Sequence, residues 1–454
     1  MEINKEYGKH IIVIGGGFAG LNFLKGLFNN KFYDVTLVDR NNYNYFTPLL
    51  YQVATSFLEP SSISYPFRKF LKNKGIMFRN ASLLSVDTAL NKVYLSDGGE
   101  LQYDYLVFAA GTKTNFFGND SIRQNAFSLK SIDDAIHMRN EIIRTLEKAS
   151  IENDPIEKRK LLTIVLAGGG PTGVELAGMF AEMKKHIIGM DYPELKDEPV
   201  EIYLVASAAH LLASMSEKTH NDAYSVLTKL GVHVRLNTLV SGYEDDCVYL
   251  SNGERIDTKT LIWCAGVIAN DFEGISKNSL GKGMRMITNE HNQVQGYENI
   301  FAIGDISLQS HDDKYPNGHP QVAQPAIQQG KCLARNLVLL AKGRSMKSFK
   351  YFDRGDMAII GRSFAVADLF KNKVHLRGIF GLLGWLLIHL ISLINYNNII
   401  KTFYNWAVAY ITCDQPLRMV FRSDNIENKR SESAARVLQL HVTTLNDHRY
   451  AEQG

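Results

Sequence analysis

Two glycine runs have the residue types and the spacing needed to hold a dinucleotide. Residues 15–20 read GGGFAG and fit the pattern GxGxxG, and residues 168–173 read GGGPTG. In such a run the glycines allow a tight turn, a close approach of the backbone to a pyrophosphate, and close packing of a helix on a strand. The helix that follows directs its free N–H groups at the phosphates. The sequence therefore predicts two nucleotide sites.

An acidic residue follows only the first run at the expected place. Asp39 closes the next apolar segment, where a carboxylate can accept hydrogen bonds from a ribose. After the second run, the corresponding segment ends Leu204-Val205-Ala206-Ser207 and has no carboxylate. The second site therefore lacks the residue that usually argues for NADH over NADPH.

A third element contributes another carboxylate. Residues 297–305 read YENIFAIGD, an apolar strand that ends in Gly304-Asp305. In flavoproteins with two dinucleotide units, a carboxylate at such a strand end bonds a ribityl hydroxyl of FAD; an ordinary strand followed by a turn is the alternative. Those flavoproteins insert the nicotinamide domain within the flavin domain, and this chain has the same order. We therefore predict FAD at the first run and a nicotinamide nucleotide at the second.

Both runs are expected to lie in strand–turn–helix–strand units. For the first unit and its sheet the predicted elements are a strand His10–Ile14, a helix Phe18–Asn29, and strands Asp34–Asp39, Met77–Asn80, Lys92–Ser96 and Tyr103–Ala110. For the second they are a strand Leu161–Ala167, a helix Pro171–His186, and strands Glu201–Ser207, Val232–Leu236, Cys247–Leu250 and Thr260–Cys264. A capped helix over Ser131–Ser150 is predicted to join the modules, and Asn299–Ile306 to return to the first sheet.

Composition excludes several other classes of protein. The 454 residues suffice for two or three domains, and the 50 Lys and Arg are interleaved with 47 Asp and Glu, so we expect no nucleic-acid partner. The four cysteines, at positions 247, 264, 332 and 413, lie far apart without metal-binding spacing, which predicts no metal site and suits a reducing compartment. Because residues 40–60 contain no cysteine, the flavin disulfide reductases are excluded. The N-terminus shows no targeting pattern, so a cytosolic origin is expected.

Several segments together resemble one family. They are PLLYQVA at residues 48–54, GGGPTGVELAG at 168–178, WCAGV at 263–267, AIGD at 302–305 and AQPAIQQG at 323–330. This set is similar to the type II NADH:quinone oxidoreductases, the NADH dehydrogenases that do not pump protons. The resemblance implies FAD, NADH and a membrane quinone, either menaquinone or ubiquinone. It also implies a peripheral position at the cytoplasmic side of the cell membrane, and it allows a homodimer.

The motifs and the resemblance together assign roles to individual residues. FAD is expected at Gly15, Gly17, Gly20, Asp39 and Asp305, and NADH at Gly168, Gly170 and Gly173. The other residues predicted to bind one of these cofactors are Phe18, Ala19, Arg40, Pro48, Leu49, Gly111, Thr112, Pro171, Thr172, Glu175, Gly266, Gly304, Ala323 and Gln324. Those implied in catalysis are Glu175, Gln324 and Gln328.

The three catalytic assignments depend on the resemblance. A glutamine amide can donate to a quinone carbonyl, so Gln324 and Gln328 are placed at the quinone pocket. From the residues alone, a helix start at which these glutamines satisfy free backbone groups is the favoured alternative. Glu175 is placed where nicotinamide or quinone approaches the flavin, for orientation or proton relay; a carboxylate on a helix face is the alternative.

The C-terminal part contains an apolar segment suited to a membrane surface. Residues 378–400 carry no charged side chain, and the run over 379–394 is almost wholly apolar but short beside the ~20 residues that a bilayer crossing needs. Asn-Tyr-Asn-Asn at 395–398 interrupts it before a second amphipathic stretch, Ile399–Thr412. Basic residues flank the segment at positions 371, 373, 377 and 401. A monotopic anchor is predicted, with a buried core helix as the alternative. In one bacterial branch of the family the loop at this point is typically Arg-rich, whereas residues 395–398 carry no basic side chain, which puts lipid-headgroup contacts there in doubt.

The predicted fold is α/β, with two Rossmann-like doubly wound nucleotide-binding domains, the second inserted in the first, and a C-terminal membrane-docking helical segment. The predicted divisions are an FAD-binding domain (1–125 and 295–345), an NADH-binding domain (126–294), a membrane-anchoring domain (346–422) and a polar tail (423–454). The predicted function is electron transfer from NADH through FAD to a membrane quinone without proton pumping. The alternatives are a soluble FAD-dependent NAD(P)H reductase of a carrier protein and a nucleotide-sensing flavoprotein with slow turnover.

Overall fold

The computed structural model describes residues 8–370, 373–412 and 417–420, and the elements named below lie in these ranges. The strands are β1 Lys9–Ile14, β2 Tyr33–Asp39, β3 Tyr43–Tyr45, β4 Ser64–Pro66, β5 Ile76–Asn80, β6 Leu83–Asp87, β7 Lys92–Leu95, β8 Glu100–Gln102, β9 Tyr105–Phe108, β10 Thr112–Thr114, β11 Thr163–Ala167, β12 Glu201–Val205, β13 Val232–Arg235, β14 Val240–Glu244, β15 Cys247–Leu250, β16 Arg255–Asp257, β17 Thr260–Trp263, β18 Val267–Ala269, β19 Met286–Thr288, β20 Ile300–Ala302, β21 Ser307–Gln309, β22 Gly355–Ile360, β23 Phe364–Leu369 and β24 Val374–Arg377. The helices are α1 Phe18–Gly26, α2 Leu50–Ala54, α3 Pro60–Ile63, α4 Phe67–Leu71, α5 Asp120–Asn125, α6 Ile132–Ile151, α7 Pro155–Leu162, α8 Pro171–Met183, α9 Gly189–Asp191, α10 Glu217–Lys229, α11 Ala323–Ala341, α12 Gly378–Ile391 and α13 Tyr396–Thr412. The chain divides into two units, Met1–Leu417 and Arg418–Gly454. The predicted polar tail (423–454), Lys371 and Cys413 lie outside the described residues.

Two parallel sheets carry the two glycine runs. The first has the strand order β20-β9-β1-β2-β5 and the second the order β13-β12-β11-β17. Every neighbouring pair in both sheets is parallel. Residues 11–13 of β1 are fully buried, as expected for a parallel strand covered on both faces. The predicted α/β class with parallel sheets is confirmed.

The prediction of doubly wound sheets, with helices on both faces, is wrong. Helices cover one face of each sheet, and a three-stranded antiparallel sheet, β6-β7-β8 or β14-β15-β16, covers the other. The segments 92–96 and 247–250, predicted to complete the parallel sheets, form β7 and β15 of these smaller sheets. In β7 the buried Val93 and Leu95 flank the exposed Tyr94, the alternation of a strand with only one face on the core.

Several predicted boundaries shift for local reasons. Leu161 and Leu162 end α7, so the strand begins at Thr163. Helix α8 ends at Met183 and continues as a π-helical turn over Lys184–Ile188. Strand β20 stops at Ala302, because Gly304 takes a φ of +76° and starts a 3-10 turn.

The joining helix forms as predicted, and the return strand forms but is shorter than predicted. Ser131 caps α6 in a capping box, in which its side chain accepts from the backbone N–H of Asp134 while the Asp134 side chain accepts from that of Ser131. After the second sheet, the chain comes back as β20 beside β9 in the first sheet. Helix α11 then packs on α1, where a Cβ at Gly330 would meet the Ala19 carbonyl oxygen.

An antiparallel sheet that was not predicted, β22-β23-β24, precedes the apolar segment. Helix α8 packs on this sheet so closely that a Cβ at Gly178 would overlap the backbone of Gly361. The sheet is also held to the start of α10, because Asp368 accepts from the Ser216 N–H at 2.7 Å and from the Thr219 hydroxyl at 2.9 Å. Helix α12 packs on β23, and α13 packs on α3.

Candidate functional site

The first glycine turn connects β1 to α1. Gly15 has a φ of +100°, which favours glycine, and a Cβ at Gly20 would overlap the Gly15 carbonyl oxygen. A Cβ at Gly17, by contrast, would face open space. Gly17 also caps α1 without a side-chain hydrogen bond, so the N–H groups of the first turn remain available. This turn can receive a pyrophosphate.

The second glycine turn, between β11 and α8, repeats this geometry. Gly168 has a φ of +123°, and a Cβ at Gly173 would overlap the Gly168 carbonyl oxygen. A Cβ at Gly170 would face open space, and Gly170 caps α8 without a side-chain bond. The next two residues, Pro171 and Thr172, are exposed at the start of the helix. A second pyrophosphate can bind here in the same way.

Asp39 braces the first turn. Its Oδ2 accepts from the Gly16 N–H at 2.6 Å and its Oδ1 from the Asn41 N–H at 2.8 Å. Burial raises the pKa of Asp39, while these two bonds and the charge of Arg40 oppose the shift. Asn44, which the sequence reading missed, closes the turn by donating to the Gly16 carbonyl at 2.7 Å. The carboxylate lies where it could also accept from a ribose.

Several other residues predicted to contact the flavin lie close to the first glycine turn. Phe18 and Ala19 begin α1, and Phe18 meets Phe46 edge-on at 5.6 Å between ring centroids. Phe46 leads into a 3-10 turn that holds Pro48 and the buried Leu49. The structure thus brings the PLLYQVA segment next to the first glycine turn.

Asp305 lies in a cluster with two cations. Burial raises the pKa of Asp305, and the charges of Lys130 and Arg285 and a hydrogen bond from Thr112 oppose this. Lys130 donates to the Thr112 hydroxyl at 3.0 Å, and burial lowers the pKa of Lys130. Lys130 was not predicted, although it stands directly before the capping residue of α6. Beside this cluster, Gly111 has a φ of +63° and leaves open space where a Cβ would project.

The AQPAIQQG segment forms the first turns of α11. Ala323 and Gln324 begin the helix, and Gln324 is partly buried. The Gln328 side-chain amide donates to the Phe352 carbonyl at 2.9 Å and accepts from the Phe352 N–H at 3.0 Å. The buried Gln329 accepts from the Gly304 N–H at 2.7 Å, which fixes α11 to the turn containing Asp305. Of these glutamines, Gln324 is best suited to meet a ligand.

Glu175 is buried on α8, where it accepts from the backbone N–H of Ile359. Burial raises its pKa well above the usual range, so the neutral acid is favoured. Burial, and after it the charge of Glu175, also raises the pKa of Tyr51. The Tyr51 hydroxyl accepts from Gln52 at 2.9 Å, and Gln52 accepts from the Trp406 indole at 2.8 Å. Polar groups thus connect α8 through α2 to α13.

A two-stranded ribbon joins the two parallel sheets. Strand β10, which follows β9 of the first sheet, pairs antiparallel with β18, which follows β17 of the second. Beside it, the Gly266 carbonyl accepts from the Asn115 N–H at 3.1 Å, and a Cβ at Gly266 would meet the Phe117 ring. The first glycine turn approaches Ala109 and Ala110, just before β10, and the second approaches Cys264 and Ala265, just before β18.

Helices α12 and α13 each have one packed face and one exposed apolar face. On α12, Trp385 is buried and stacks on His389 at 3.8 Å, while Phe380, Leu383, Leu387 and Ile391 are exposed. Burial lowers the pKa of His389 to about 4. On α13 the exposed apolar side chains are Ile400, Phe403, Tyr404 and Ile411. Among the described helices, none is both long and apolar enough to cross a bilayer.

Comparison with known proteins identifies the chain's relatives. The model of the pyridine nucleotide-disulphide oxidoreductase family matches residues 9–330. The type II NADH:quinone oxidoreductase Ndh of Mycobacterium tuberculosis is 32% identical over 88% of this chain and 88% of that protein. The external alternative NAD(P)H-ubiquinone oxidoreductase B2 of Arabidopsis thaliana is 32% identical over 66% of this chain and 54% of its own length. Among solved structures, NDH2 of Plasmodium falciparum in complex with NADH matches with a TM-score of 0.83 at 22% identity, covering 91% of this chain and 100% of that one.

Proposed function

Because the chain belongs to the type II NADH:quinone oxidoreductases, within the pyridine nucleotide-disulphide oxidoreductase family, we propose that it uses FAD to pass electrons from NADH to a membrane quinone. The observation that carries the proposal is the pair of matching glycine turns, both in one unit and joined by the ribbon β10–β18. The chemistry that FAD supplies is acceptance of a hydride followed by release of two electrons.

We propose that the first turn, with Asp39 and Asp305, holds FAD. The residues fit this cofactor, since the α1 N-terminus is uncapped and Gly17 and Gly111 leave room for a ligand. Lys130 is a further residue of the proposed site, because its ammonium donates a hydrogen bond to the Thr112 hydroxyl near the Asp305 carboxylate. Arg40, Pro48, Leu49 and Ala323 remain proposed flavin contacts.

We propose that the second turn holds NADH. The uncapped N-terminus of α8 and the open space at Gly170 support a pyrophosphate at this place. Thr172, Gly173 and Gly266 are proposed contacts of the same nucleotide. Glu175 is proposed to hold a proton near the reacting groups, which its favoured neutral form supports.

Reduction of a quinone to a quinol consumes two electrons and two protons. Each NADH supplies two electrons and one proton, so one proton must come from solvent or from a protein acid. We propose that Gln324 orients the quinone by donating its amide to a carbonyl oxygen. Gln328 has a weaker claim to this role, because its amide already pairs with Phe352.

We propose that α12 and α13 dock the enzyme at the cytoplasmic surface of the cell membrane. Their exposed apolar faces support an interfacial position, in which a helix lies along the bilayer with one side in the lipid. Electron transfer without proton pumping, the division into FAD, NADH and membrane-anchoring domains, and a homodimer are further parts of the proposal that rest on the sequence resemblance. The native quinone, menaquinone or ubiquinone, would be identified by turnover with each.

The test begins with protein purified in detergent. Addition of NADH without oxygen should bleach a bound flavin spectrum, and a quinone analogue should then restore it. Purified protein without flavin would end the proposal, whereas a bleached spectrum that quinone cannot restore would end the acceptor assignment. Gln324→Ala should raise the KM for quinone by roughly tenfold, the effect of one lost hydrogen bond of about 1.4 kcal/mol. Gln328→Ala is the matched variant, and it should lower stability while changing the KM for quinone less than Gln324→Ala does. A larger KM change in Gln328→Ala than in Gln324→Ala would assign the quinone contact to Gln328 instead.

A further inference from the structure

The ends of strands β2 and β12 are equivalent positions in the two nucleotide units. Gly15 donates its N–H to the Val38 carbonyl at 2.9 Å, and Gly168 donates to the Val205 carbonyl at 2.8 Å. The residue after each acceptor therefore occupies the same place beside its glycine turn. That residue is Asp39 in the first unit and Ala206 in the second.

The environment of the two residues confirms that they match. A Cβ on the middle glycine of the first turn, Gly16, would lie 3.3 Å from the Asp39 Oδ2. A Cβ on the middle glycine of the second turn, Gly169, would lie 2.7 Å from the Ala206 Cβ. Both side chains thus project at the turn itself. Where the first unit has a carboxylate, the second has a methyl group.

No acid from the following loop replaces the missing carboxylate. Residues 206–216 contain neither Asp nor Glu. The loop folds back over the turn, since Leu212 donates its N–H to the Gly169 carbonyl at 2.8 Å. Its exposed members include Ser207 and His210, and the exposed Asn237 donates its backbone N–H to the Ala208 carbonyl. The rim of the turn is therefore polar and without negative charge over this stretch.

Two pairs of opposite charge stand near the loop. Arg235, at the end of the neighbouring strand β13, is bonded to Glu254 at 3.0 Å. At the start of α10, Glu217 stands beside Lys218. The rim therefore carries no excess of negative charge from these residues, and no free guanidinium from Arg235.

A carboxylate at this position performs two functions in a nicotinamide site. It accepts a hydrogen bond from the adenosine 2′-hydroxyl of NADH, and it repels the 2′-phosphate of NADPH. Specificity is a difference of two affinities, so losing both effects brings the two affinities together. Ala206 provides neither effect. Arg235, being paired with Glu254, is not free to favour the 2′-phosphate either.

We propose that this enzyme uses NADPH as well as NADH, and that Ala206 is the position that determines this dual specificity. The inference rests on the proposed function in placing a nicotinamide nucleotide at the second turn. The 2′-substituent of the nucleotide faces Ala206 and the rim formed by Ser207, His210 and Asn237. The hydride transferred is the same from either nucleotide, since the 2′-phosphate takes no part in the chemistry.

The test compares kcat/KM for NADH and NADPH in the flavin-loaded enzyme with one quinone analogue. The wild-type values should agree within about tenfold. Ala206→Glu should lower kcat/KM for NADPH by roughly 10- to 100-fold, the range expected for one interaction with a charged group, and should leave NADH unchanged or improved. Ala209→Glu places the same charge on the exposed part of the loop and should change the NADPH to NADH ratio less than about threefold.

A binding measurement separates this inference from the proposed function. Calorimetric titration of the flavin-loaded enzyme with ADP-ribose and with 2′-phospho-ADP-ribose needs neither hydride transfer nor quinone. Similar affinities, with a loss for only the phosphorylated ligand in Ala206→Glu, would support the inference even if quinone reduction failed. A wild-type preference above 100-fold for the unphosphorylated ligand, or equal effects of Ala206→Glu and Ala209→Glu, would overturn it.

Discussion

Replacing three exposed side chains of α12 should detach the enzyme from membranes without unfolding it. Leu383, Leu387 and Ile391 are 57%, 60% and 65% exposed and follow one another at helical spacing of four. Leu383→Gln, Leu387→Gln and Ile391→Gln together change these side chains to uncharged polar ones with good helix propensity. The packed side of α12, including Trp385, is left intact.

The size of the effect follows from the exposed fractions. Complete burial of a leucine or isoleucine side chain stabilises by about 1.5–3 kcal/mol. Since roughly three fifths of each side chain remains to be buried, each contributes ~1–2 kcal/mol, and the three together ~3–6 kcal/mol. Because about 1.4 kcal/mol corresponds to a factor of ten, membrane partition should fall by about two to four powers of ten. Thermal stability in detergent should change little, as these side chains make few contacts within the protein.

Flotation with liposomes that contain anionic lipid measures the partition directly. A matched control replaces three apolar side chains on other helices, Ile151, Ile156 and Met190, which are 79%, 66% and 61% exposed, also by glutamine. The control should float with the liposomes as the wild type does. In vesicles, the α12 variant should lose turnover with a long-tailed quinone but keep it with a water-soluble analogue. Unchanged flotation of the α12 variant, or an equal loss in the control, would refute the docking surface.

Three further changes test individual residues. Asp39→Ala removes the hydrogen bonds that Asp39 accepts from Gly16, in the first glycine turn, and from Asn41. The Kd for FAD should therefore rise roughly 10- to 100-fold and the Tm should fall; unchanged flavin affinity by equilibrium dialysis would contradict the assignment. Glu175→Gln should slow turnover, and its stability relative to wild type should improve as the pH rises above the unfolded pKa. Above the unfolded pKa, the buried acid stays protonated in the folded protein while the unfolded chain ionises, so wild-type stability falls as the pH rises. A difference in Tm between variant and wild type that does not depend on pH would contradict this explanation. For His389, whose pKa falls from 6.5 to about 4, the unfolded state binds the proton first, so wild-type stability is lost as the pH falls from about 6.5 to about 4. His389→Phe should flatten that acid-side loss in a series of unfolding curves, and a parallel decline in both proteins would show that His389 is not responsible.

The parts of the site that the sequence predicts are those encoded over short distances. Glycine spacing, a positive φ and an uncapped helix start all arise within a few residues, and the structure places both turns where the spacing required. The absence of an acid at Ala206 could likewise be read from the segment alone, because it depends on counting from one strand end. The register of β1 with β2, and of β11 with β12, then bears out that reading.

The parts that the sequence does not predict depend on partners far apart in the chain. Lys130 and Thr112 are 18 positions apart, and Gln328 and Phe352 are 24 apart, so neither pairing leaves a local pattern. The strands β7 and β15 were wrongly assigned to the parallel sheets for the same reason. A short strand such as β7 looks similar whether it pairs parallel in the large sheet or antiparallel beside it, and only its neighbours decide.

The attachment of α13 to α3 has a practical consequence for anyone wishing to prepare a water-soluble form of the enzyme. Asn398 donates to the carbonyls of Ser62 at 2.7 Å and Ser64 at 3.0 Å, and Thr402 donates to Ser62 at 3.2 Å. Trp406 supplies the bond to the buried Gln52. Truncating the chain before α12 would strip these partners from α2 and α3, and each buried group left without one costs about 1–3 kcal/mol. A water-soluble form would therefore be better obtained by substituting polar residues on the exposed face of α12 and α13 than by deleting these helices.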